Sequence, residues 1–165
     1  MRRYIYDALG NRTSSIDFNG QLTSFAYDSR DRLDSVTYND ASVETFSYDN
    51  HGNRIDANDR SSLNQSWSFD SRHRLTQVID AAGNQIDYQY DAADNKSQQT
   101  TTPAGGSAIV TTYAYDALNR LQSVTDASAQ TTTYAYDANG NRASVTYPNG
   151  NVTSYVYDVN NRLSV

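Results

Sequence analysis

Two aromatic residues separated by one position, the second followed at once by aspartate, recur along this chain at an almost fixed interval. The second aromatic of each pair is Tyr6, Tyr27, Tyr48, Phe69, Tyr90, Tyr115, Tyr136 or Tyr157. The spacing is 21 residues throughout except for one interval of 25. Each of these anchors precedes an aspartate: Asp7, Asp28, Asp49, Asp70, Asp91, Asp116, Asp137 and Asp158. Two places ahead stand Tyr4, Phe25, Phe46, Trp67, Tyr88, Tyr113, Tyr134 and Tyr155. Only Phe18, Tyr38 and Tyr147 among the aromatics fall outside these two columns. Repetition of this kind marks an array of small supersecondary units, none of which buries its apolar face alone.

The spacing within each pair selects the unit. On an extended strand, residues i and i+2 project from one face, whereas on a helix they diverge by about 200°. Thr, Val and Ser surround the pairs, with Asn and Gly between them, which is strand composition broken by turns. Four places past each anchor stand Gly10, Asp31, Gly52, His73, Asp94, Asn119, Gly140 and Asn161. These residue types tolerate positive φ. An aspartate opening a type I turn that a left-handed residue closes is a hairpin connection with a bulge. A second turn is expected midway, at Asn19-Gly20, Asn39-Asp40, Ala81–Asn84 and Pro148–Gly150. The four extra residues of the long unit fall there, within Thr100–Ala108.

The expected fold is therefore all-β. It is one antiparallel array over residues 1–165, with eight phased units, partial units at both ends and no helix. About sixteen strands are implied, more than open sheets usually hold without curling, so the strip is expected to curve or spiral. Leu, Ile, Val and Phe number 28 of 165 residues, a fraction low enough to suggest disorder. The regular aromatic columns answer that suggestion, because disordered chains are poor in aromatics.

A finer pattern doubles the period. Arg12, Arg54 and Arg142, with Lys96 as the variant, follow an asparagine six places past their anchors. Arg32, Arg74, Arg120 and Arg162 stand one place earlier and precede Leu. A one-place shift along a strand reverses its face, so the structural period is predicted to be 42 residues, two unlike hairpins. These basic residues are read as a ladder, stacked on rings or paired with the aspartates, in preference to a surface for acidic cargo. Leu33, Leu75 and Leu121 are followed three places later by Val36, Val78 and Val124. That spacing breaks strict alternation, so either both faces are covered or a bulge intervenes.

Several function classes are disfavoured. A net charge of −6 argues against nucleic acid as a partner. Apolar runs stay short of a membrane span, and with no cysteine a thiolate metal site is impossible. His51 and His73, the two histidines, both fall in turns and are read as turn residues. The recurring Asp-x-x-Gly lacks the closing glutamate of a calcium loop, since Glu44 is the single glutamate. No catalytic, cofactor-binding or metal-ligating residues are assigned, and enzyme activity is not expected.

The phrases "YDALGNRTSS", "YDALNRLQSVTDASAQTTTYAYD" and "YDANGNRASVTYPNGNVTSYVYD" resemble the tyrosine-aspartate repeats of the RHS/YD family. That family includes bacterial Rhs polymorphic toxins, insecticidal toxin-complex subunits, wall-associated bacterial proteins and animal teneurins. The resemblance implies a long β-strip forming a hollow shell, which in the bacterial toxins encloses a C-terminal toxic domain. It further implies a secreted or surface-delivered protein whose partners are neighbouring repeats and the enclosed toxin. The Pro-rich "DPxGL"-like segment that ends such shells does not occur here, so a fragment without toxin or protease is expected. The open sheet edges of such a fragment are expected to make it self-associate. The alternative function is a repeat module that binds cell-surface carbohydrate through exposed rings.

Overall fold

A computed structural model describes residues 1–164. They divide into two compact units, Met1–Asn84 and the residues from Gln85 onward. The first holds β1 (Arg3–Tyr6), β2 (Arg12–Ile16), β3 (Leu22–Tyr27), β4 (Leu33–Thr37), β5 (Val43–Tyr48), β6 (Arg54–Asn58), β7 (Asn64–Phe69) and β8 (Leu75–Ile79). The second holds β9 (Gln85–Tyr90), β10 (Lys96–Thr102), β11 (Ile109–Tyr115), β12 (Leu121–Thr125), β13 (Thr131–Tyr136), β14 (Arg142–Thr146) and β15 (Val152–Ser154). In each unit every strand pairs antiparallel with the next in the sequence. The described residues form no helix. The all-β antiparallel reading of the sequence is the observed fold.

Turns of one design close both edges. At all eight Asp turns the residue four past the anchor has φ between 59° and 95°. The aspartate N–H donates to the carbonyl four residues on, as Asp7 does to Asn11 at 2.9 Å, and its own carbonyl takes the N–H three residues on. Six midway turns repeat this arrangement with Gly20, Ala41, Ser62, Gly83, Ala129 and Gly150 left-handed. The turn at Pro103, which has no N–H to donate, keeps the bond from Gly106 N–H to the Pro103 carbonyl and has Gly105 left-handed. The four residues of the insertion are taken up by longer strands and connection. Strands β10 and β11 have seven residues each, where β8 and β12 have five and β9 has six.

The odd Leu–Val spacing is produced by a bulge. Tyr27 pairs with Leu33 and Ala26 with Ser35, leaving Asp34 as the extra residue. Leu33 therefore faces Tyr27 while Val36 faces Phe25, and both lie on the ring side despite their separation of three. The same slip recurs opposite Tyr6, Tyr48, Phe69, Tyr90, Tyr115 and Tyr136.

Only Val36 and Val145 are buried among the described residues, at 5% and 4% exposure. A single layer of strands has no second layer to cover it, so the rings and the residues opposite them serve as its apolar contact. From Phe25 through Tyr157 every ring of the two columns is half-buried, whereas Tyr4 and Tyr6 on β1 are exposed. The residue between each pair (Ala26, Ser47, Ser68, Gln89, Ala114, Ala135, Val156) points to the other face and is exposed.

Candidate functional site

The repeated chemistry lies along the Asp-turn edge. Each Asp Oδ1 takes the N–H groups two and four residues ahead, as Asp116 does from Leu118 and Arg120, both at 2.9 Å. The free oxygen, Oδ2, is then occupied in one of two ways. In the Arg-Leu hairpins an arginine reaches it through Nε and Nη2, with Arg120 to Asp116 at 2.7 Å for both. Arg32, Arg74 and Arg162 pair in the same manner with Asp28, Asp70 and Asp158. In the Gly-Asn-Arg hairpins the preceding asparagine takes that role, with Asn11, Asn53, Asn95 and Asn141 donating to Asp7, Asp49, Asp91 and Asp137. These bonds hold the carboxyls of Asp7, Asp28, Asp49, Asp70, Asp116, Asp137 and Asp158 below their usual range. The Arg32 side chain, followed by its backbone N–H, brings Asp28 down to about 2.

The left-handed residue links one turn to the next. Asn11 Nδ2 also donates to Asp31 Oδ1 at 3.2 Å, and Asn141 donates to Asn161 at 3.0 Å. Asn95 reaches Asn119 at 3.0 Å, and Asn53 meets His73 Nδ1 at 3.2 Å. From an Arg-Leu turn the contact forward is made by arginine, Arg30 Nη1 to Asn50 O at 2.7 Å and Arg32 Nη1 to Asp49 O at 3.0 Å. The left-handed position thus uses Asp, His or Asn in Arg-Leu hairpins because its side chain receives the neighbouring asparagine.

The other basic residues lie over the rings. Arg12 stacks on Phe25 at 4.1 Å and Tyr4 at 5.8 Å. Arg54 sits over Trp67 and Phe46, and Lys96 over Tyr113 and Tyr88. Arg142 covers Tyr155 at 4.8 Å. Arg32 and Arg120 also stack, but over the anchor rings Tyr48 and Tyr136. The one-place shift therefore changes the ring column that is covered and does not reverse the face. Arg32 belongs to the turn, ahead of the strand beginning at Leu33, so strand alternation does not govern it. Ring stacking occurs in both hairpin types, while pairing of the repeated arginine with the anchor aspartate occurs in the Arg-Leu hairpins.

The anchor hydroxyls make a contact that sequence reading did not foresee. Tyr27, Tyr48, Tyr136 and Tyr157 each donate to the carbonyl fifteen residues earlier, those of Arg12, Leu33, Leu121 and Arg142, at 2.8–3.2 Å. Across the insertion Tyr115 reaches Lys96 at 3.0 Å. The bulge is the cause. Pairing between β2 and β3 spans only Ser14–Ile16 with Leu22–Ser24, so the carbonyl of Arg12 lies beyond the ladder and the hydroxyl of Tyr27 satisfies it. One anchor thus ties three strands together. The aspartates Asp17, Asp59, Asp80 and Asp126 were likewise missed, and they accept N–H groups at the midway turns as the anchor aspartates do.

His51 and His73 meet edge to face, with ring centroids 4.6 Å apart. No group of three potential metal ligands occurs among the described residues. Side chains of the Asp edge thus bond to neighbouring turns, cations lie over many of the rings, and five anchor hydroxyls bond to backbone carbonyls. This is a joining surface between hairpins.

The model for the RHS Repeat matches residues 6–43, 69–108, 115–152 and 136–165. The chain belongs to the RHS repeat family. Solved structures share its fold at low identity. The "Crystal Structure of TcdB2-TccC3-Cdc42" matches with TM-score 0.72 and 18% identity, over 98% of this chain and 10% of that one. The "Structure of Photorhabdus luminescens Tc holotoxin pore, Mutation TccC3-D651A" gives 0.72 and 19% over the same shares. The "Crystal Structure of TcdB2-TccC3" gives 0.69 and 15% over 96% and 11%. These RHS repeats thus span about a tenth of the solved chains they resemble. No curated protein sequence matches the chain.

Proposed function

We propose that this RHS repeat array is a stretch of wall in an encapsulating shell of a toxin that is secreted or delivered at a cell surface. Its immediate partners are neighbouring repeats, and the shell's content is a C-terminal toxic domain. The array performs no catalysis in this reading, since its polar residues are spent on turns and on turn-to-turn contacts. The supporting observation is the state of the rings. A glycan-gripping module needs open ring faces, whereas the rings from Phe25 through Tyr157 are half-buried, several lie under cations and anchor hydroxyls are tied to backbone carbonyls. Solved chains of toxin complexes share the fold.

Limited proteolysis of the full-length protein tests the proposal. The segment that follows the repeats is expected to resist protease while the array is folded, and to be digested once urea opens the array. Digestion at equal rates in both conditions would refute enclosure. Saturable binding on a glycan array that Trp67→Ala abolishes would favour the carbohydrate reading instead.

A further inference from the structure

The first unit contains two clefts that are copies of one another. One, of about 410 Å³, lies over Ser15 and is walled by Tyr4 and Arg12. The other, of about 380 Å³, lies over Ala57 and is walled by Phe46 and Arg54. Each of these three positions is displaced by one 42-residue period. The clefts exist because a small side chain stands where Val36, Val78, Val124 and Val145 fill the same register place in other hairpins. Ser15 pairs with Tyr4, and Ala57 with Phe46.

The two clefts differ in charge. Arg2 lines the first cleft where Glu44 lines the second. With Arg60, the Ser15 cleft has three guanidinium groups against the carboxylates of Asp17 and Asp40. Both carboxylates are already engaged. Asp40 pairs with Arg60 at 2.6 Å, and Asp17 accepts the N–H groups of Asn19 and Gln21. Arg2 and Arg12 take no part in the described ion pairs, and their guanidinium faces rest on Phe18 at 5.5 Å and Phe25 at 4.1 Å. A guanidinium whose face is covered still offers its in-plane N–H groups, which suit the oxygens of a carboxylate or phosphate. The Ala57 cleft has Arg54 against Glu44 and Asp59, so the same shape there disfavours an anion.

We propose that the Ser15 cleft binds an oxyanion, the carboxylate or phosphate group of a small ligand, between Arg2 and Arg12. Its volume is within the range of small-molecule sites, and the aromatic walls suit a compact organic ligand.

The full chain, labelled with ¹⁵N, is titrated with citrate and separately with inorganic phosphate at constant ionic strength while the arginine Nε–H resonances are followed. Saturable shifts at Arg2 and Arg12 with Kd of about 1 mM or tighter are expected, with Arg54 unmoved. Response to one probe alone assigns the group, carboxylate or phosphate, and response to both assigns oxyanions in general. Ser15→Val narrows the floor of the cleft with a side chain that four other hairpins carry at this place, so the array stays folded and binding weakens. Arg2→Glu gives the cleft the charge of its copy and weakens binding by about tenfold or more. Non-saturable shifts, equal shifts at Arg54, or binding undiminished by Ser15→Val and Arg2→Glu would overturn the proposal.

Discussion

Phe69 is the one anchor without a hydroxyl, and it offers a direct measure of what the others contribute. It occupies the register place of Tyr27 and Tyr48, pairing with Leu75 across a bulge as Tyr27 pairs with Leu33. Fifteen residues earlier is Arg54, whose neighbours in β6 pair with β7 only from Asp56 to Asn58. Phe69→Tyr would place a hydroxyl against the Arg54 carbonyl, where five equivalent bonds measure 2.8–3.2 Å. A net neutral hydrogen bond is worth about 1 kcal/mol. The ring already lies in place, so little further ordering is needed. Unfolding in urea followed by Trp67 fluorescence reports on this unit, because the single tryptophan lies two residues away. Phe69→Tyr is expected to raise the unfolding free energy by about 1 kcal/mol at constant m-value, and Tyr48→Phe to lower it by about as much. If Phe69→Tyr stabilises nothing and Tyr48→Phe costs nothing, the hydroxyl clip is a geometric by-product and the stabilising role given to it is wrong.

Two further expectations concern the turns. Ala41 and Ala129 hold φ of 63° and 60°, a conformation costing a residue with Cβ about 1–2 kcal/mol. Glycine there, after its own entropy loss of about 0.5–1 kcal/mol, should stabilise by up to about 1 kcal/mol, read as a higher urea midpoint. Acid should act through the aspartate edge. Folded-state values are lowered for Asp7, Asp28, Asp49, Asp70, Asp116, Asp137 and Asp158. Groups lowered on folding contribute stability above their unfolded pKa, about 3.9, and lose it as pH falls through the folded value, about 2 for Asp28. The urea midpoint should therefore hold steady at neutral pH and decline below about pH 4. A midpoint unchanged down to pH 2 would show that the carboxylates are bonded no better in the folded state than in the unfolded chain.

The sequence made the period, the ring pairs and the left-handed places legible because each is a local rule with a fixed residue signature. Midway turns lie where Asn19-Gly20, Asn39-Asp40, Ala81–Asn84 and Pro148–Gly150 mark them. Those at Asp59 and Asp126 have no Asn or Gly at their tips to mark them, and the aspartates that open four of the turns form no unbroken column. Asp17, Asp59, Asp80 and Asp126 share that place with Tyr38, Pro103 and Tyr147, so the column is broken. The hydroxyl clip was hidden for a different reason. It exists only because the bulge parts two strands, and the carbonyl it satisfies is fifteen residues away. The alternation of Asn and Arg beside each aspartate was visible as letters, but its meaning depended on both side chains donating to the same oxygen. Ser15 and Ala57 carry no signal of a cleft until their register against Tyr4 and Phe46 is known.

The doubled period has a physical cause in the rings. Six places past the anchors the residues run Arg12, Leu33, Arg54, Leu75, Lys96, Leu121, Arg142. Arg12 stacks on Tyr4 and Phe25, and Arg54 on Phe46 and Trp67, so two rings serve one cation. A cation in every hairpin would make each ring serve two, one from either side. It would also bring these charges to about 10 Å, two strand spacings, where alternate placement keeps them about 19 Å apart. The screening length at physiological salt is about 8 Å, so neighbouring cations at the shorter spacing would still repel while those at the longer one scarcely would. The arginines five places past the anchors escape this limit because each is neutralised by its own aspartate. Leucine between cations is therefore what allows the ladder to be extended hairpin after hairpin without accumulating charge.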